Sequence, residues 1–270
     1  MRDFLLGNVI CTINQKKSML LPIGDDNRDR RITPFINYLL IIINIIVFIF
    51  LQQFAQNELF TFTYATVPAE ILSGTDIYGS VPFTNPLDGT TEYVTYGQSQ
   101  WPVYTTLVTS MFMHGGIAHL GGNMLFLWIF GDNLEDEMGH FKYLAFYLLC
   151  GILASLCHVF SSAYFGQNPY IPSLGASGAI SAVLAGYMLQ HPTRRVHVWL
   201  LFGIVSLPAF LVVGLWFVFQ IINGYGALGG NEAGGVAYAA HIGGFVVGLI
   251  LVKMFVEKRV VLPEERKSFW

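Results

Sequence analysis

Long apolar runs broken by short polar stretches dominate this chain between residues 34 and 256. A helix needs about 20 mostly apolar residues to cross a bilayer. Six segments come close to that requirement: 34–55, 112–131, 141–163, 174–190, 198–222 and 236–256. Pro34 opens the first, at a position where a missing N–H costs nothing. Between the first two runs the pattern changes. Residues 56–111 are rich in Thr, Tyr, Gly and Pro, and they carry the aromatics Phe60, Phe62, Tyr64, Tyr93, Tyr96, Trp101 and Tyr104. Such a segment suits either an interfacial structure on the lipid headgroups or a small exposed lobe with its own packing.

Composition agrees with this pattern. The chain is 54% hydrophobic and 11% charged over 270 residues, against about 25% charged in soluble domains. A net charge of −3 gives no reason to expect nucleic acid as a partner. The three cysteines, Cys11, Cys150 and Cys157, are odd in number and form no disulfide framework, so they read as packing thiols. Arg2 precedes a short apolar run, but Lys16-Lys17 closes it without a small-residue cleavage site, which favours a tail over a signal peptide.

The positive charges set the orientation. All fourteen Lys and Arg residues fall on one side of a six-span arrangement. They lie in the N-terminal tail, at Lys142, at Arg194 and Arg195, and at the C-terminal end. The positive-inside rule then puts both termini in the cytoplasm, which requires an even number of crossings. The expectation is an all-α polytopic membrane protein with six transmembrane helices. Residues 1–31 form a cytoplasmic tail, 32–256 the membrane domain with 56–111 as its extracytoplasmic first loop, and 257–270 a second cytoplasmic tail.

Within that frame four polar residues share a depth. Ser177 starts the fourth span from the outer side, His241 is near the outer start of the sixth, and His119 and Asn123 descend the second. A serine hydroxyl needs a base to become a nucleophile, and His241 is the natural one. The oxyanion formed by attack on an amide needs preorganised donors. The helix start at Ser177 offers backbone N–H groups, while His119 and Asn123, four apart, add side-chain donors on one helix face. No Asp or Glu lies in any span, so a serine–histidine pair is favoured over a triad. Gly178, Gly244 and Gly248 are small residues that permit close helix approach. The bland alternative is that Gly175-Ala176-Ser177-Gly178 is only a packing patch, whereas a lone intramembrane histidine more often marks function. His114 reads as an anchor before the second span, His158 as a cap on the third, and His140, His191 and His197 as solvated. There is no H-E-x-x-H and no pair of embedded aspartates, so metalloprotease and aspartyl chemistries are set aside.

These residues resemble the rhomboid family of intramembrane serine proteases. The resemblance rests on His114-Gly115-Gly116, on His119-Leu120-Gly121-Gly122-Asn123-Met124, on Gly175-Ala176-Ser177-Gly178-Ala179, and on Ala240-His241-Ile242-Gly243-Gly244 with Gly248. Asn37–Asn44, Val67-Pro68-Ala69-Glu70 and Gly131-Asp132-Asn133-Leu134-Glu135-Asp136 are also similar to prokaryotic members. The resemblance implies a six-helix rhomboid bundle, with Ser177 as nucleophile and His241 as general base. It implies an oxyanion hole of His119, Asn123 and the Ser177 N–H. It also implies membrane-protein substrates, often single-pass, cut in or near a transmembrane helix, with no cofactor and no metal. A loop or fifth-helix gate is implied at the fifth loop and 198–222, where Phe202, Trp216, Phe217 and Phe219 would face lipid or the second span. The expected location is a prokaryotic cytoplasmic (inner) membrane. Two positions depart from the family. Trp101 precedes Pro102 where many members have Trp-Arg, and Ser181 stands where some have a tyrosine stacked on the histidine, so His241 must be held another way. The rival reading is a non-catalytic client-binding relative or a small transporter.

Overall fold

The computed structural model describes residues 21–84, 91–200, 203–228 and 237–256. The expected tails lie mostly outside these residues. Leu21–Asp25 form β1, followed by helix α1 (Phe35–Leu51), whose last turn widens into a π-bulge at Val47–Leu51. Helices α2 (Glu58–Thr63) and α3 (Pro68–Ser73) precede a hairpin of β2 (Gly79–Thr84) and β3 (Thr91–Tyr96). The short α4 (Val103–Phe112) leads to α5, which is continuous over 117–138. Then come α6 (His140–Tyr164), α7 (Ser177–Gln190), a second hairpin of β4 (Arg195–Leu200) and β5 (Gly203–Pro208), α8 (Ala209–Leu228) and α9 (Tyr238–Phe255).

The chain is an integral membrane protein. Among the described residues, His140–Tyr164, Ala209–Gly226 and Tyr238–Phe255 are long and apolar enough to cross a membrane. Helix α7 is short but central, buried from Ala179 to Tyr187. A helix apolar on every side is stable only when surrounded, and α6 and α9 flank it with Phe146, Cys150, Phe245 and Val252 in the same core.

Two small sheets correct the purely helical expectation. The expected span 198–222 is a strand hairpin up to Pro208 and a helix only from Ala209. Val196 and Val198 are fully buried while Arg195, His197 and Trp199, which alternate with them, are not, the two-residue period of a strand. A short apolar run does not distinguish strand from helix by composition. β1 completes the sheet in the order β1-β4-β5, so residues 21–25 are part of the fold.

The Gly131–Asp136 motif receives the chain as it enters α1. The Glu135 carboxylate accepts the backbone N–H of Ile36 (3.0 Å) and Asn37 (2.7 Å), and Asp136 accepts those of Arg31 (2.8 Å) and Ile32 (2.9 Å). Anions are favoured there because the first N–H groups of a helix lack intrahelical partners. Asn37 donates to the Leu127 carbonyl and accepts from the Tyr143 hydroxyl, which locks α1 against α5 and α6.

The 56–111 segment is a packed lobe with its own cluster of Phe62, Val67, Val94 and Tyr96. It grips the loop that leads into α7: Thr66 and Ser173 exchange backbone hydrogen bonds, and the Ser110 carbonyl accepts from Gly175 N–H at 2.9 Å. Glu70 is buried in this lobe and accepts the Ile77 N–H at 3.0 Å. Burial pushes its carboxyl up to about 7 from an ordinary 4.5, with Asp76 adding to the rise. A carboxyl raised on folding binds more protons in the native state, so its contribution is present below pH 4.5 and is lost as pH rises through about 7. Glu70→Gln is therefore expected to raise the unfolding temperature at pH 8 and to leave it nearly unchanged at pH 5. Equal shifts in thermal melts at both pH values would contradict this.

Candidate active site

Ser177 is the first residue of α7, and Gly175 before it has φ 120°. Side-chain-bearing residues rarely adopt that conformation. A Cβ on Gly175 would also lie 2.9 Å from Cε1 and Nε2 of His119 and 3.7 Å from Ser177 Oγ. The glycine thus keeps one small space open between the serine and the second candidate histidine.

His241 lies in the first turn of α9, and its Nε2 is 2.7 Å from Ser177 Oγ. Its other ring nitrogen, Nδ1, is 2.9 Å from Oε1 of Gln220, on α8. The Gln220 amide nitrogen faces the Trp216 carbonyl at 3.4 Å, an acceptor only, so the amide oxygen is the atom turned to the ring. Nδ1 then carries the proton, and the Nε2 lone pair is left to accept the Ser177 O–H. Trp216 and Tyr238 place their rings 6.1 and 6.3 Å from the imidazole. Ser181 does not reach the histidine; its hydroxyl donates to the Ser177 carbonyl at 2.6 Å.

On α5, the Gly115 N–H donates to His119 Nδ1 at 3.3 Å, which leaves Nε2–H free to donate. Asn123 follows one turn later, and its Nδ2 is buried with no hydrogen-bond partner among the described residues. The N–H groups of Ser177 and Gly178 precede the first bond of α7, from Ile180 N–H to the Ala176 carbonyl. The first N–H groups of α7 and the His119 ring therefore lie around the serine, with Asn123 one turn beyond His119 on α5.

The small residues set the helix spacing. A Cβ on Gly244 would overlap the Gly178 carbonyl oxygen, and one on Gly248 would lie 2.6 Å from the Cα and O of Ala182. A Cβ on Gly178 would lie 2.9 Å from that of Ala154. His114 is held by its backbone: Gln52 donates to its carbonyl and accepts from its N–H, both at 2.9 Å, while its ring meets His119 edge-on.

Other expectations need correction. His158 caps nothing, since α6 continues to Tyr164. His140, His191 and His197 all have partners, in Glu135, Glu137 and Ser206. Phe202 lies outside the described residues. Trp216 and Phe217 face Phe245 of α9, and Phe219 is exposed. Sequence reasoning passed over Gln220 and Gln52. The available signal was an amide inside or at the end of an apolar run, a costly placement that asks for a reason.

The comparisons with known proteins bear on this site. A family model for the rhomboid domain matches residues 101–258, which contain every candidate site residue. The chain belongs to the rhomboid family. Rhomboid protein 1, mitochondrial, of Saccharomyces cerevisiae is 31% identical over 163 residues, 60% of this chain and 44% of that protein. Rhomboid protease GluP of Bacillus subtilis is 33% identical over 197 residues, 72% of this chain and 34% of that protein. The human presenilin-associated rhomboid-like protein, mitochondrial, is 28% identical over 164 residues, 58% of this chain and 39% of that protein. This rhomboid chain spans less than half the length of those relatives. Two of the three are mitochondrial by name, so the relatives give no support to a prokaryotic inner membrane.

Proposed function

We propose that the protein is an intramembrane serine endopeptidase that cleaves membrane proteins, single-pass ones foremost, in or near a transmembrane helix. The observation that carries this reading is the 2.7 Å hydrogen bond between Ser177 Oγ and His241 Nε2 in a rhomboid domain. A relative named as a protease supports it. In the proposed topology 117–138 and the shorter helices α1 and α7 also cross the bilayer. That gives six spans over 32–256, with both termini cytoplasmic and 56–111 outside.

In the proposed reaction Ser177 Oγ attacks the carbonyl carbon of the scissile peptide as its proton passes to His241 Nε2. The carbonyl oxygen becomes an oxyanion and takes hydrogen bonds from His119 Nε2–H, Asn123 Nδ2 and the Ser177 N–H. Collapse breaks the C–N bond, and the imidazolium proton goes to the leaving amine. Water, deprotonated by His241, then hydrolyses the acyl-enzyme and regenerates the serine. Asn123→Ala is expected to lower kcat by about 10²–10³-fold with little change in KM, since that donor serves the transition state. Steady-state cleavage of a single-pass substrate in proteoliposomes reads both constants.

Fluorophosphonate labelling tests the central reading. Purified wild-type protein should be modified at Ser177 and His241→Ala should not. Equal labelling of both, or none of the wild type, would favour a client-binding or transport role.

A further inference from the structure

We infer that Gln220 is a positioning residue that holds the general base in its working tautomer, a role resting on the proposed function. A neutral imidazole carries one proton, and only the Nδ1–H form presents a lone pair to Ser177. Nothing in the imidazole itself selects that form over the other. In Ser-His-Asp enzymes a carboxylate behind the ring makes the selection. Here a neutral amide oxygen stands there, 2.9 Å from Nδ1, and the Trp216 carbonyl fixes which way the amide faces.

Its setting fits this task. Gln220 is buried in an otherwise apolar stretch of α8, so without a partner for its oxygen the amide would be costly. Ser181 points back to its own helix, so in place of the tyrosine that some family members stack on the histidine, His241 is held by a hydrogen bond to a different helix. Among the described residues the titratable side chains near His241 are His119, His158 and Tyr238, none of them a carboxylate that could act as an anionic orienter. A neutral acceptor selects the tautomer without placing a second charge in the bilayer, and it stabilises the imidazolium only through the amide dipole.

The test uses the full chain in detergent micelles with ¹⁵N-labelled histidine, and His241 is assigned by the loss of its signals in His241→Ala. In the Ser177→Ala background His241 should show protonated Nδ1 and unprotonated Nε2, and Gln220→Met should convert this to a mixture of tautomers. In the active protein Gln220→Met is expected to lower kcat about 10–10²-fold with KM within about twofold. Gln220→Glu restores an acceptor oxygen; it should recover kcat at high pH and move the acid limb of the pH–rate profile upward by about one unit. A purely structural role would leave the tautomer unmoved in Gln220→Met and would give Gln220→Glu no recovery of kcat. A single Nδ1–H tautomer surviving in Gln220→Met, or unchanged kcat, overturns the assignment. If wild type fails to cleave, or Ser177→Ala still cleaves, the proteolytic reading falls instead, and the tautomer measurement still decides the role of Gln220.

Discussion

Ser177→Ala is expected to abolish cleavage of a reconstituted single-pass substrate, a loss of at least about 10⁴-fold, while the purified protein melts within a few degrees of wild type. The size follows from the chemistry. Removing a nucleophile or its base from a serine hydrolase leaves only binding and oxyanion stabilisation, and such losses reach about 10⁶-fold. The small stability effect follows from the surroundings: Ser177 is half-buried, and its side chain bonds His241 across a gap that a methyl group leaves nearly unchanged. His241→Ala should match it in rate and exceed it in destabilisation, because the Oε1 of buried Gln220 loses its partner. Because the two groups act as one unit, the double variant should be no slower than either single variant. A double variant slower than both by the product of the two losses would mean that serine and histidine act separately. Wild-type cleavage by Ser177→Ala would remove the hydrolase reading.

How far the sequence discloses this molecule depends on which physical signal each part writes into it. Helices that face lipid must be apolar over their length, so α6 and α9 are legible to within a few residues. The hairpin 195–208 is not, because Val196 and Val198 are as apolar as a helix and the run continues into Ala209 without a break. The C-terminal end of α1 is misjudged for another reason. Gln53, Phe54 and Ala55 take left-handed conformations with φ from 50° to 65°, which few residues favour and no composition announces. Within the site, Ser177, His241, His119 and Asn123 are visible because polar chemistry in an apolar span is rare. Gln220 is equally polar and equally placed, but an amide carries no expectation of chemistry on its own. Only the position of His241 Nδ1 gives it meaning.

Gly244→Val should cut activity at least about 10²-fold, by a different route from loss of the nucleophile. Glycine is required here for the room it leaves: any Cβ on Gly244 would occupy the place of the Gly178 carbonyl oxygen, and that oxygen is backbone, fixed in the first turn of the serine helix. One turn further on, Gly248 meets Ala182 in the same way, so α9 cannot tilt away from one contact without straining the other. The helices must separate. His241, three residues before Gly244, then moves off Ser177, and a displacement of about 1 Å in such a pair costs about 10²-fold or more in rate. Overpacking of this kind also destabilises by about 1–3 kcal/mol, more where no side chain can yield. The expected result is therefore a lower melting temperature, cleavage reduced at least about 10²-fold and fluorophosphonate labelling reduced in parallel. Gly214→Ala supplies the contrast, since an added Cβ meets nothing within 4 Å there and helix propensity favours alanine by up to about 1 kcal/mol. That variant should cleave like wild type and melt no lower. Wild-type labelling of Gly244→Val would mean that the serine and histidine helices do not need this close approach to share a proton.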